Sequence, residues 1–115
     1  MKPVGIHHVN LLFDDIDAAR EFYGETMGFE ELDRPDFGFP GLWFQMGAQQ
    51  LHLMEGAAPN SAQHFALEVE DLDAVLAELA ERGLVVNAND VIAGAGRQAF
   101  LHDPTGNLIE LNQPG

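Results

Sequence analysis

The chain has 115 residues, 46% of them hydrophobic, enough for one compact core and too few for two independently stable domains, so any subdivision has to be a repeat. Its formal charge of −14, from 19 acidic residues against five lysines and arginines, repels a phosphate backbone and argues against nucleic acid as a partner. The absence of cysteine excludes disulfides, thiolate zinc sites and cysteine nucleophiles, leaving imidazole and carboxylate as the groups able to hold a metal.

The opening residues Met1-Lys2-Pro3-Val4-Gly5 lack the charged-then-apolar layout of an export signal, and no apolar run is long enough to cross a bilayer. The expectation is a soluble, cytoplasmic protein with no membrane partner. Residues 8–13, His-Val-Asn-Leu-Leu-Phe, then read as a strand. Asp15 and Asp17 open a helix, where carboxylates suit the unpaired amides of the first turn; Ile16, Ala19, Phe22, Tyr23 and Met27 form its apolar stripe before Gly28. Three short β-like segments follow over 29–32, 42–46 and 50–54, with a loop at 34–41 that carries Phe37, Phe39 and two prolines. Residues 55–63, with Gly56, Pro59, Asn60 and Ser61, form a seam.

Beyond the seam the same order returns. A strand over 64–69 precedes Asp71-Leu72-Asp73-Ala74, and a helix with Leu72, Val75, Leu76 and Leu79 on one face stops at Gly83. Strands are predicted over 84–86, 98–102 and 107–112, with a poorly patterned, glycine-bearing loop at 87–96. This loop and the one at 34–41 are the candidates to border a pocket.

A shift of 56 residues lays His8 on His64 and Asp15 on Asp71, while residues 51–53 match 109–111 at a shift of 58. The reading places Phe44 on Phe100 and puts both extra residues in the turn Asp103-Pro104-Thr105-Gly106. The predicted fold is α+β, one domain made of two βαβββ modules, about 4–55 and about 62–113.

Alternate strand residues share a face, so Gln50, His52 and Met54 oppose Leu51 and Leu53, and Leu108, Glu110 and Asn112 oppose Ile109 and Leu111. With helices covering the apolar face, His52 and Glu110 look to the other side, and His8 and His64 open the two repeats at equivalent places. Asn10 shares the face of His8 and is a candidate substrate contact, as are Trp43 and Phe100. His7 is expected to face away from His8, and His102 to be a turn or rim residue.

The strand histidine in Gly5-Ile6-His7-His8-Val9, the helix ending Phe22-Tyr23 before Met27-Gly28-Phe29, and the closing run from Asp103 to Leu111 resemble the vicinal oxygen chelate superfamily. That group includes glyoxalase I, extradiol dioxygenases and bleomycin-resistance proteins. The resemblance implies cupped mixed sheets with helices on the outer face. It also implies one divalent metal ion (Zn, Ni, Fe, Co or Mn) held by His8, His52, His64 and Glu110. A six-coordinate ion so held keeps two adjacent positions for neighbouring oxygens of a small-molecule substrate.

Glyoxalase I usually carries a carboxylate or amide at the place of His52, which leaves Glu110 as the catalytic proton carrier here. The implied function is a metal-dependent, glyoxalase-like lyase or isomerase. The alternatives are an Fe(II)-dependent extradiol-type dioxygenase and a bleomycin-resistance-type protein that binds its ligand without catalysis. Small relatives of this length further suggest a symmetric homodimer with sites shared between chains.

Overall fold

Asp15 and Asp71 begin the two helices by the same device. The carboxylate of Asp15 accepts hydrogen bonds from the amides of Asp17 and Ala18, both at 3.1 Å, and that of Asp71 accepts from Ala74 at 3.1 Å. Around these caps the chain forms two compact units, Met1–Pro59 and Asn60–Gly115, each taken by itself below. The structure, a computed structural model, describes residues 2, 4–57, 63–89 and 96–114. The seam is thus only partly described, and most of the loop predicted at 87–96 lies outside the described residues.

In the first unit the order is β1 (His8–Phe13), α1 (Ile16–Arg20), β2 (Glu30–Leu32), β3 (Gly41–Met46) and β4 (Gln49–Glu55). The sheet runs β1-β4-β3-β2, with β1 parallel to β4 and the other pairs antiparallel. After Arg20 the helix widens into a π-helical turn, Glu21–Thr26, in which Met27 N–H reaches back to Phe22 at 2.9 Å. A wider turn brings two consecutive aromatic residues to the core side: Phe22 and Tyr23 are both buried, with Tyr23 6.1 Å from Phe44. The apolar face of the sheet, with Phe13, Leu42, Phe44, Leu51 and Leu53, is therefore the helix side.

The second unit repeats this with β5 (His64–Glu68), α2 (Leu72–Glu81), β6 (Asn87–Ala88), β7 (Arg97–His102) and β8 (Leu108–Gln113), ordered β5-β8-β7-β6. Each sheet is mixed, and the fold is α+β as the sequence predicts. Gln113, on the face of Ile109 and Leu111, accepts from Leu72 N–H at 2.7 Å, which places α2 on that side. Among the described residues no helix is long and apolar enough to cross a membrane.

Two expectations need correction. Residues 84–86 form no strand, because α2 ends in a bonded stop: Gly83 takes φ +79°, its N–H bonds Ala80 O at 3.0 Å, and Leu84 N–H bonds Leu79 O at 3.1 Å. Pairing begins only at Asn87, which meets Phe100. The second correction is register. His8 pairs with Gln50 and His64 with Leu108, so the shifts of 56 and 58 hold for those strands. Trp43, however, pairs with His52 where Phe100 pairs with Glu110. Phe100 therefore stands at the place of Trp43, and buried Phe44 corresponds to Leu101. One of the two extra residues falls between α2 and β7, not in the hairpin.

The hairpin from β7 to β8 is held from inside. The Asp103 carboxylate accepts from the amides of Thr105 (3.0 Å), Gly106 (2.9 Å) and Asn107 (2.8 Å) and from Asn107 Nδ2 (2.8 Å). A buried carboxylate so engaged fixes where β8 starts, and with it which face Glu110 takes.

Candidate functional site

Opposed residues in a ladder share a face, so the rung Asn10–His52–Trp43 lies on the side of the first sheet away from the helix, and the rung Ala66–Glu110–Phe100 on the corresponding side of the second. Each unit brings one pair of the expected ligands together. Among the described residues no set of three or more His, Asp and Glu is gathered to hold an ion.

In the second unit His64 Nε2 lies 3.3 Å from Glu110 Oε1, while the other oxygen, Oε2, accepts from Asn112 Nδ2 at 3.0 Å. Two donors bound side by side to one ion at about 2.1 Å each stand about 3 Å apart, so this pair fits adjacent positions on one ion. Glu110 is buried, Phe100 presents its ring edge-on to His64 at 6.1 Å, and Asn112 fixes the carboxylate's orientation.

The first unit is built differently. The rings of His8 and His52 stack at 4.0 Å with 17° between their planes, and Trp43 stacks on His52 at 4.2 Å and 8°. His52 Nε2 is also bonded to Gln50 Oε1 at 2.9 Å. A ring nitrogen binds an ion in its own plane, so two nearly parallel rings cannot aim at one point; His52 fits the expected set only once its ring turns out of the stack and leaves Gln50. Burial in this stack, followed by the charges available to His8, His7 and Arg34, holds the His52 imidazole below the ordinary histidine range. That keeps it neutral, the form a metal needs.

His7 departs from expectation. Strand β1 starts at His8, so alternation does not reach His7, and the two Nδ1 atoms lie 3.0 Å apart. This contact leaves His8 with Nε2 as its other nitrogen and makes His7 an orienting neighbour rather than a bystander. His102 is exposed at the end of β7. Asn10 is exposed on the rung of His52. Gln50 and Asn112, which strand alternation places on the faces of His52 and Glu110, are their hydrogen-bond partners, a role the sequence does not assign.

Trp43 continues the row outward. Phe37 lies 6.0 Å from it and 5.9 Å from Phe39, and the Arg34 guanidinium carbon sits 4.9 Å from the centre of both phenyl rings.

A family model described as Glyoxalase/Bleomycin resistance protein/Dioxygenase superfamily matches residues 5–111. "Glyoxylase I 4" of Arabidopsis thaliana is 27% identical over 92% of this chain and 68% of its own length. A crystal structure of a glyoxalase family protein from Bacillus anthracis has a TM-score of 0.88 at 30% identity, covering 100% of this chain and 98% of that one. The structure of TnmS3, an antibiotic binding protein from a Streptomyces species, has a TM-score of 0.85 at 32% identity, covering 100% and 99%.

Proposed function

The chain belongs to the Glyoxalase/Bleomycin resistance protein/Dioxygenase superfamily, and from that membership we propose that it is a metal-dependent, glyoxalase-like lyase or isomerase acting on a small molecule with two neighbouring oxygens. His8, His52, His64 and Glu110 are its ligands to one divalent ion of the Zn, Ni, Fe, Co or Mn kind. The observation that carries this reading is the 3.3 Å between His64 Nε2 and Glu110 Oε1, the spacing of two adjacent donors on one ion. When bound, the ion supplies Lewis-acid stabilisation of negative charge on the substrate oxygens, a contribution of several kcal/mol.

The chain's own groups do the rest. Glu110 takes a proton from the carbon beside a substrate carbonyl and returns it to the neighbouring carbon, while Asn112 Nδ2 holds the carboxylate in place. Trp43 and Phe100, on the rungs of His52 and Glu110, and Asn10 contact the substrate. The reading includes a symmetric homodimer whose sites are shared between chains.

Elemental analysis of purified protein tests it: close to one divalent transition metal per chain is expected. Because imidazole binds only when neutral, affinity should weaken below about pH 6.5. Protein that stays empty by calorimetry at neutral pH in the presence of these metals would replace this reading with a second one, a ligand-binding protein without catalysis. The exposed rings of Phe37 and Phe39 and the similarity to an antibiotic binding protein favour that second reading. Oxygen consumption with catechols would move the assignment to the dioxygenase branch.

A further inference from the structure

Among the described residues Arg34 has no acidic partner. Of the few basic residues in this acidic chain, Arg20 pairs with Glu31 at 2.9 Å and Arg97 with Asp73 at 2.8 Å. Arg34 has no carboxylate within 4.0 Å among the described residues, although Asp33 and Asp36 are close in sequence. Arg82, exposed at the end of α2, makes no such pair either, but a solvated cation needs none. Arg34 is half-buried, so water covers only part of its charge.

The surroundings of Arg34 hold it in one place. Nη1 donates to Phe39 O at 3.1 Å, and both Phe37 and Phe39 lie against the guanidinium. Gly41 lies directly beneath it: a Cβ at that position would lie 2.5 to 2.6 Å from three guanidinium atoms and would push the guanidinium out of this place. Nε is sealed from solvent with no acceptor, whereas Nη2 is not sealed and makes no hydrogen bond among the described residues. Phe37 (51% exposed) and Phe39 (46% exposed) leave flat apolar surface beside this open edge, and Phe37 leads directly to Trp43 and the His52 stack.

We propose that Arg34 binds the carboxylate of a planar organic acid whose ring lies against Phe37 and Trp43, which makes an aromatic or conjugated carboxylate the ligand class of this face. The open Nη2 offers its N–H groups to a carboxylate oxygen in a charge-assisted hydrogen bond, and a cation in a strongly acidic chain selects for an anion that the rest of the surface would repel. The inference rests on the site proposed above only for its location, and it needs no metal.

Trp43 is the only tryptophan, so its emission reports directly on this face. In metal-free protein, benzoate should change the emission saturably, and its neutral isostere benzamide should bind at least about tenfold more weakly, the loss expected for one charge-assisted contact. Arg34→Met should weaken benzoate by a similar factor with benzamide unaffected, and Arg34→Lys should recover part of the loss. Equal binding of benzoate and benzamide by the unaltered chain would overturn the proposal without any variant, as would a folded Arg34→Met protein that binds benzoate normally. Measuring metal-free protein separates the two readings: failure here leaves metal content untouched, and an absence of metal leaves this result standing.

Discussion

The Trp43 indole lies parallel to the His52 imidazole at 4.2 Å, with 8° between the planes, on adjacent strands of the first sheet. This contact joins a spectroscopic reporter to a candidate ligand. His52 is held below the ordinary value of 6.5 by burial and then by neighbouring positive charge, so the unfolded chain takes up this proton first as pH falls. Its contribution to stability is whole above that value and is lost as pH falls through the depressed folded one. Trp43 emission should stay level to below pH 6.5 and then drop as the imidazolium forms against the indole. A drop centred at or above 6.5, or one that survives His52→Gln, would show that His52 is not the group being read.

Ligands and neighbours should separate by metal affinity. His64→Ala or Glu110→Ala should remove most binding, and His102→Ala, exposed at the end of β7, should leave it intact. His7→Ala should fall between, at about 10 to 100-fold, the usual effect of removing a group that orients a ligand. Calorimetric titration with Zn or Ni checks the order; equal losses in all four variants would refute the assignment.

Stability should also depend on the buried Asp103 carboxylate. Asp103→Ala strips the four hydrogen bonds that close the β7–β8 hairpin and leaves buried donors without acceptors, at a cost of about 2 to 4 kcal/mol. For a chain of this size the melting temperature should fall by roughly 10 °C. A shift of only one or two degrees would mean that the turn is held by something else.

Sharing of sites between chains predicts complementation. His8→Ala and Glu110→Ala chains should each be metal-poor alone. In a mixed dimer with shared sites, one site collects both defects and the other none, so exchange of subunits should restore one intact site per mixed dimer. If each site belongs to a single chain, every site keeps one defect and nothing is regained. Verified exchange without recovery, or a monomer by sedimentation, would refute sharing.

The repeat was legible because local chemistry repeats with it: Asp15 and Asp71 cap helices, and His8 and His64 open equivalent strands. Register was less legible. Apolar pattern cannot distinguish Phe44 from Trp43 as the equivalent of Phe100, because that choice depends on where an extra residue is absorbed between α2 and β7. His7 was misread because alternation was extended one residue past the start of β1, and residues 84–86 because an apolar triplet following a helix was still tied to the helix end. The packing of Arg34 over Gly41 is a tertiary contact that composition does not reveal.

The strand order also has a consequence in time. In each sheet the antiparallel hairpin joins neighbours in sequence, Met46 meeting Gln49 and His102 meeting Leu108, whereas the parallel pairs must bring His8 to Gln50 and His64 to Leu108 across an entire helix. Local closures outpace distant ones during folding, so β4 and β8 each spend an interval with one edge unpaired. An open edge of that kind can capture the same strand of another nascent chain and seed aggregates. A charge of −14 repels like copies while β1 and β5 are still arriving, so the acidity should also guard the slow step of folding, and that protection should fade as salt screens it.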